Sequence, residues 1–192
     1  PENIQLLGIS VDATFKDSDT SDYVAIEVWG KLNGNYYLID LINKRMDFPE
    51  TLRAIWYMVD KYPNRHSILV EDKANGSAII SMLKHEIGGI IAITPKESKV
   101  GRANAITGIV EAGNVYLPEY ADFTQAFVEE FASFPTGAHD DMVDACTQFI
   151  NHFKFRQADY VEDNRSDFEV QLEKFRNKRL SGNKSHSRRS YY

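Results

Sequence analysis

The sequence predicts a mixed α/β sheet with helices on both faces. Two features of the residue pattern support this prediction. Within the first 41 residues, three segments are rich in β-branched and aromatic residues, as is typical of consecutive antiparallel strands. Beyond residue 49, short apolar segments alternate with helix-like segments, which is the order found in sheets with parallel strands. Antiparallel strands followed by strand–helix alternation therefore give a mixed sheet flanked by helices.

The predicted strands are short runs of apolar residues bounded by turn-forming residues. They cover residues 5–12, 23–29, 35–41, 67–70, 90–93 and 114–117. Residues 30–34 contain two glycines and an asparagine, so the second and third strands should form a hairpin. Pro95 ends the fifth strand.

Helices are predicted where apolar residues recur every three or four positions. They cover residues 49–61, 76–86, 99–111, 122–133 and 140–154. Pro49 suits the first turn of the first helix, and Gly113 stops the third. The fourth helix should turn one apolar side inward, formed by Phe123, Phe127, Val128 and Phe131.

Length and composition indicate a soluble globular domain with a sizeable core. The chain has 192 residues, of which 43% are hydrophobic and 26% charged. We expect no membrane contact, because no apolar run approaches the roughly 20 residues of a membrane span. The single cysteine, Cys146, excludes an internal disulfide and a thiolate-rich zinc site, and its helical spacing favours a buried apolar role.

Charge is distributed unevenly along the chain, whose net charge is −6. Seven of the 22 basic residues and none of the 28 acidic residues lie between residue 174 and the end. The body is therefore strongly acidic, which argues against wrapping of nucleic acid by a basic surface. We expect a folded domain over residues 1–156 and a charged extension over 157–192 whose end is disordered.

Carboxylates occur at three places where strands or helices should begin or end. They are Asp12 after the first strand, Glu71 and Asp72 after the fourth, and Asp140, Asp141 and Asp144 at the start of the last helix. Packed carboxylates repel one another and lose hydration, so a cation is needed to stabilise them. Two hard divalent cations between such carboxylates form a site for phosphodiester hydrolysis.

The spacing of these carboxylates suits one shared site. Asp141 and Asp144 are three positions apart and lie on one helical face, whereas Asp140 is rotated by about 100°. Together with Asp12 and Glu71 they could hold two Mg²⁺ or Mn²⁺ ions. Each cluster alone also has a structural interpretation, since Asp140 suits a helix cap and Asp12 could begin a loop.

The main basic patch of the body consists of Lys96, Lys99 and Arg102, and Lys73 follows Glu71. Lys99 and Arg102 share a helical face, so these side chains are candidates for contacts with DNA phosphates. A solvated helix face explains the same pattern equally well.

Six sequence motifs occur in the order and spacing of a known family. They are GISVDA at 8–13, SDYVA at 21–25, VEDKANG at 70–76, KVGRA at 99–103, EAGNVYLP at 111–118 and HDDMVDA at 139–145. Over about residues 5–152 the sequence resembles the C-terminal nuclease domain of tailed-phage terminase large subunits, in the RNase H/retroviral-integrase-like superfamily.

This resemblance implies an RNase H-like fold and a two-metal endonuclease. The metal ligands would be Asp12 and Glu71 with Asp141 or Asp144. The Asp-x-x-Asp of related Holliday-junction resolvases favours Asp141 with Asp144, whereas the double aspartate of other terminases keeps Asp140 as a further candidate. His139 is expected in a loop beside the site and not as a ligand.

The resemblance also implies a biological setting. The domain would cut double-stranded DNA with little sequence preference, cleaving concatemeric genomes in the cytoplasm of the infected bacterium. Its partners would be an N-terminal ATPase domain and, as further candidates, the portal protein and the small terminase subunit. The chain itself lacks a Gly-x-x-x-x-Gly-Lys-Ser/Thr phosphate loop, so no ATPase activity is expected of it.

Two alternatives remain open at this stage. A Holliday-junction resolvase, an integrase or an RNase H would share the carboxylates but act on branched DNA or RNA–DNA hybrids. A catalytically inactive module that binds DNA or the portal would use the carboxylates as caps and the basic end as a docking arm.

Overall fold

A central sheet organises the described part of the chain, with the strand order β5-β4-β1-β2-β3-β6. The structure is a computed structural model, and it describes residues 3–13, 22–73 and 75–155. The predicted charged extension over 157–192 lies outside the described residues. The mixed α/β sheet that the sequence predicts is confirmed.

The strands run β1 Leu6–Ala13, β2 Asp22–Leu32, β3 Asn35–Met46, β4 Ser67–Glu71, β5 Ile90–Ile93 and β6 Val115–Tyr116. The first three pair antiparallel, whereas β4 pairs parallel to β1 and β5, and β6 pairs parallel to β3. The hairpin turn is shorter than predicted. Gly30, Lys31 and Leu32 pair with β3, so only Asn33 and Gly34 remain for the turn, and Asn33 takes a left-handed φ of 56°.

The helices are α1 Phe48–Lys61, α2 Asn75–Leu83, α3 Lys99–Asn104, α4 Thr107–Glu111, α5 Thr124–Ser133 and α6 Asp141–Phe153. The single helix predicted over 99–111 is wrong, because the chain turns at Ala105 and Ile106 and divides it into α3 and α4. This turn lets the Ile106 side chain reach the core. Gly113 follows α4 with a φ of +75° and ends it as predicted.

One predicted core position of α5 is also wrong. Phe127 is buried, and Phe123 and Phe131 pack beside it, but Val128 is 49% exposed. The three phenylalanines are four residues apart and form one stripe. Val128 lies about 100° around the helix from Phe127 and leaves that stripe.

Helices cover both faces of the sheet, as predicted. Ile55 and Met58 of α1 and Ile79 of α2 pack on one face against the side chains of Ile9 and Val11. On the other face, α5 and α6 build a second core that includes Trp29, Phe127, Phe149 and Phe153.

Cys146 of α6 is buried in the second core, as its helical spacing predicts. In the part of the chain that the structure describes, no helix is both long and apolar enough to cross a bilayer.

Candidate metal centre

The parallel pairing of β1 and β4 brings Asp12 and Glu71 together at the carboxyl ends of these two neighbouring strands. The register joins Val11 to Val70, so Asp12 and Glu71 are the next residues along two neighbouring strands. Successive side chains of a strand alternate between faces, so Asp12 lies on the same face as Ser10. The Ser10 hydroxyl donates to the Ala145 carbonyl oxygen of α6 at 2.7 Å, which identifies this face as the one covered by α6.

A glycine allows the chain to leave Glu71 and start α2 at once. A Cβ atom on Gly76 would collide with the Glu71 carbonyl oxygen. Only a residue without a side chain tolerates so close an approach. This contact explains why the motif that begins with Val70 and Glu71 ends in glycine.

A buried glutamine of α6 anchors that helix over the ends of β1 and β4. The Nε2 atom of Gln148 donates to Ser10 Oγ at 3.0 Å, and to the carbonyl oxygens of Val11 and Leu69 at 3.3 Å each. Gln148 lies one helical turn after Asp144, so these bonds set the height of Asp144 above the strands. Sequence reasoning missed this residue, although a glutamine within the buried side of a helix was an available signal.

Asp12 is the most perturbed acid of the site. Its side chain is buried, with 5% of the residue exposed, and burial raises its pKa from 3.8 to about 8. The negative charges of Asp144, Asp141 and Glu71 contribute to the same shift. Asp12 is therefore close enough to the other three predicted metal ligands for their charges to act on it.

The pKa of Asp141 is raised as well. Burial, followed by the neighbouring charge of Asp140, raises the pKa of Asp141, while Lys99 opposes the shift. Negative charge is thus concentrated at the N-terminal end of α6, in the region that faces Asp12.

Cationic side chains of α3 neutralise part of this charge. Lys99 Nζ lies 2.7 Å from Asp140 Oδ2 and 2.6 Å from Asp144 Oδ2. Arg102 Nη2 lies 2.6 Å from Asp144 Oδ1 and 3.6 Å from Glu71 Oε2. Although burial alone would lower the pKa of Lys99, the two aspartates raise it.

The other two predicted phosphate contacts lie at the rim of the site. Lys73 is exposed and pairs with Glu71 Oε1 at 2.9 Å. Lys96 is exposed and lines a cleft of about 500 Å³ that also includes Glu71 and Arg102. Arg102 is buried, so the solvated helix face considered above is wrong for that residue.

The carboxylate oxygens suit a hard divalent cation in chemistry and charge. Within the described ranges, no group of three or more histidine, cysteine, aspartate or glutamate side chains is arranged to hold an ion as it stands. Instead, Lys99 and Arg102 hold Asp144, Asp140 and Glu71 in ion pairs. The oxygen donors suit Mg²⁺ or Mn²⁺ in chemistry, and such an ion would compete with these two side chains.

The cap of α6 comes from a residue that the sequence did not indicate. Asp140 occupies the cap position, but among the described residues its side chain makes no cap hydrogen bond and pairs with Lys99 instead. Glu130 of α5 takes this role, because its Oε1 accepts from the backbone N–H groups of Met142 at 2.7 Å and Val143 at 3.1 Å. The interpretation of Asp140 as the side-chain cap is therefore wrong.

Removing this cap should loosen the helix that carries Asp141 and Asp144. We expect Glu130→Ala to lower the free energy of unfolding by about 1–3 kcal/mol, because two buried N–H donors lose their acceptor. Glu130→Gln keeps an acceptor oxygen and should lose less than half as much. Urea denaturation of the three proteins measures the difference, and equal losses for both variants would contradict a capping role.

His139 lies in the loop before α6, as predicted. It is exposed, and its ring centroid lies 4.3 Å from that of Tyr23.

Comparison with known proteins identifies the family. Residues 9–153 match the profile of the family described as the terminase RNaseH-like domain. The sequence matches none of the curated proteins with which it was compared.

Solved structures of phage terminases share this fold. A large terminase from a thermophilic bacteriophage, solved in complex with ADP, is 16% identical and has a TM-score of 0.63 over 81% of this chain. The large terminase nuclease of the thermophilic phage G20c with bound zinc is 17% identical (TM-score 0.59), with coverage of 76% of this chain and 80% of that one. The nuclease domain of the bacteriophage SPP1 large terminase with bound Mn is 15% identical (TM-score 0.56), with coverage of 78% and 87%.

The extent of these matches defines what the chain corresponds to. It spans 41% of the ADP-bound large terminase but most of the G20c and SPP1 nuclease chains. Because the family profile covers residues 9–153 of 192, the chain belongs to the terminase RNaseH-like domain family, the family that its six motifs predicted.

Proposed function

We propose that this domain is a divalent-metal-dependent endonuclease that cuts double-stranded DNA with little sequence preference. The observation that carries the proposal is the convergence of carboxylates from β1, β4 and α6, where burial and then the charges of the neighbouring acids raise the pKa of Asp12 to about 8. The family supports it, as do the bound Mn of the SPP1 nuclease domain and the bound zinc and cobalt of the G20c nuclease.

In this proposal the ligands are Asp12, Glu71, Asp141 and Asp144, with Asp140 as a further candidate. Two bound Mg²⁺ or Mn²⁺ ions would supply the activation of a water nucleophile and the stabilisation of the leaving oxygen. The residues around them keep the ligands in place. Gln148 ties α6 to both strands, and Glu130 fixes its first turn.

DNA would lie across the carboxyl ends of β1 and β4. Lys73 and Lys96 at the rim, with Lys99 and Arg102 closer to the carboxylates, are the proposed contacts with the phosphate backbone. None of these contacts involves a base edge, so cleavage should depend little on sequence.

The biological role is proposed from the family. The domain would cleave concatemeric genomes as the nuclease part of a packaging terminase, in the cytoplasm of the infected bacterium. An ATPase domain would precede it in the whole protein, which is consistent with the ADP in the longer large terminase that shares this fold. The portal protein and the small terminase subunit are the further proposed partners.

Cleavage of four substrates tests this function. With Mg²⁺ or Mn²⁺, we expect the domain to cut plasmid and linear duplex DNA, and we expect a chelator to stop the reaction. Preferential cutting of a four-way junction would favour a resolvase, and preferential cutting of an RNA–DNA hybrid would favour an RNase H. DNA binding without cutting under any divalent metal would favour an inactive binding module.

A further inference from the structure

Hydrogen bonds hold the backbone of α3 beside the acidic site. The Ser98 hydroxyl caps α3 by accepting from the Gly101 N–H at 3.1 Å. The Asn151 side chain of α6 donates to the Arg102 carbonyl oxygen at 3.0 Å, which joins the two helices. Lys99 and Arg102 are three positions apart on α3, so both side chains reach α6 from one helical face.

Both oxygens of Asp144 are engaged by these cations. Arg102 contacts Oδ1 and Lys99 contacts Oδ2, each at 2.6 Å. Such distances are slightly shorter than is usual for charge-assisted hydrogen bonds between a cationic N–H group and a carboxylate. A divalent ion on Asp144 would need one of these oxygens, and repulsion between cations opposes sharing it. Metal binding at Asp144 therefore requires at least one ion pair to break.

The two cations differ in how easily they could leave. Arg102 is buried and also lies 3.6 Å from Glu71. The side chain of Lys99 is 47% exposed, and its ammonium group sits at the end of a flexible stem. Lys99 is consequently the cation that can move into solvent while α3 stays in place.

We infer that Lys99 is a built-in counterion that competes with divalent metal for Asp144 and Asp140 and so lowers the metal affinity of the DNA-free domain. This inference rests on the proposed metal site. Its consequence is that an incoming ion releases the Lys99 ammonium beside the site, where it becomes available to a DNA phosphate. One residue would then neutralise the acids before metal binds and contact the backbone afterwards.

The dissociation constant for Mn²⁺, measured by calorimetry without DNA, tests the competition. We expect Lys99→Met to bind Mn²⁺ about 5- to 50-fold more tightly than the unaltered domain, the usual size of a coupling between two binding events. Lys99→Arg keeps a cation and should stay close to the unaltered value. Lys84→Gln is the control, because it removes the same charge from an exposed residue just after α2. Helix α2 leads away from the carboxyl end of β4, so this variant should change the dissociation constant for Mn²⁺ less than about twofold.

The unaltered protein provides a second measurement, for which only the conservative variant Lys99→Arg is needed. In the ¹⁵N-labelled domain, the Lys99 side-chain amine resonance, assigned by its loss in Lys99→Arg, should shift when Mg²⁺ is added. An unshifted resonance at saturating Mg²⁺ would overturn the inference.

The outcomes separate this inference from the proposed function. If the unaltered domain binds Mn²⁺ and cuts DNA while Lys99→Met binds Mn²⁺ equally well or more weakly, the competition is wrong and the nuclease stands. If neither protein binds Mn²⁺ and neither cuts DNA, the proposed metal site itself fails.

Discussion

Asp12→Asn is expected to abolish metal-dependent cleavage and, at the same time, to stabilise the metal-free domain. The carboxylate is buried among other acids, and its pKa is raised from 3.8 to about 8. Asparagine resembles the protonated acid in shape and removes the charge that the folded state disfavours. At pH 8 we expect the free energy of unfolding without metal to rise by about 3–6 kcal/mol, since each pKa unit corresponds to about 1.4 kcal/mol.

The stabilisation of the metal-free domain by Asp12→Asn should depend on pH. Between about pH 4 and pH 8 the unfolded chain releases the Asp12 proton while the folded domain keeps it. The unaltered domain therefore loses stability as pH rises through this window, and the loss is complete only above the folded pKa. The advantage of Asp12→Asn should be near zero at pH 4 and largest at pH 8, as measured by urea denaturation in the presence of a chelator.

Asp12→Asn should lower DNA cleavage although it raises stability. Loss of a ligand should reduce Mn²⁺-dependent plasmid cleavage by at least about a hundredfold, the upper end of what is lost when only the support of a metal ligand is removed. Asp60→Asn is the matched control, because Asp60 is exposed at the end of α1 on the opposite face of the sheet. A less stable Asp12→Asn domain at pH 8, or one that cuts at the normal rate, would contradict the assignment of Asp12 to a metal centre.

The sequence predicted one shared site for Asp12 and Glu71 because local patterns indicate where strands end. An apolar run that ends in an acid predicts a strand end, and parallel pairing then brings two such ends together. The prediction that Cys146 is buried succeeded for a similar reason, since its helical spacing placed it on the apolar side of the last helix. Patterns of this kind depend only on residues that are close in the chain.

Contacts between helices were the part that the sequence could not predict. Periodicity shows which side of α3 carries Lys99 and Arg102, but not that α6 lies opposite that side. The break at Ala105 and Ile106 had no proline to indicate it. The Glu130 cap was missed for the same reason, because its acceptor and donors lie 12 and 13 residues apart on different helices.

Asp144→Asn should also abolish cleavage, but its effect on stability should have the opposite sign to that of Asp12→Asn. Asp144 is 3% exposed and forms ion pairs with Lys99 and Arg102. An asparagine would leave the buried Arg102 guanidinium without its main counterion. Removing one partner of a buried ion pair typically costs about 3–5 kcal/mol, and we expect a loss of that size in the metal-free domain.

A double-mutant cycle tests this explanation in urea denaturation without metal. If the loss comes from the stranded guanidinium, Arg102→Met combined with Asp144→Asn should recover part of it, whereas independent effects would add. An Asp144→Asn domain that is more stable than the unaltered one would contradict the ion pairs. If Asp12→Asn raises the free energy of unfolding and Asp144→Asn lowers it, the metal-free domain neutralises Asp144 with its own cations and holds Asp12 in its protonated form. A divalent ion would then have to replace both a lysine and a proton, and its affinity should therefore rise with pH and with the removal of Lys99.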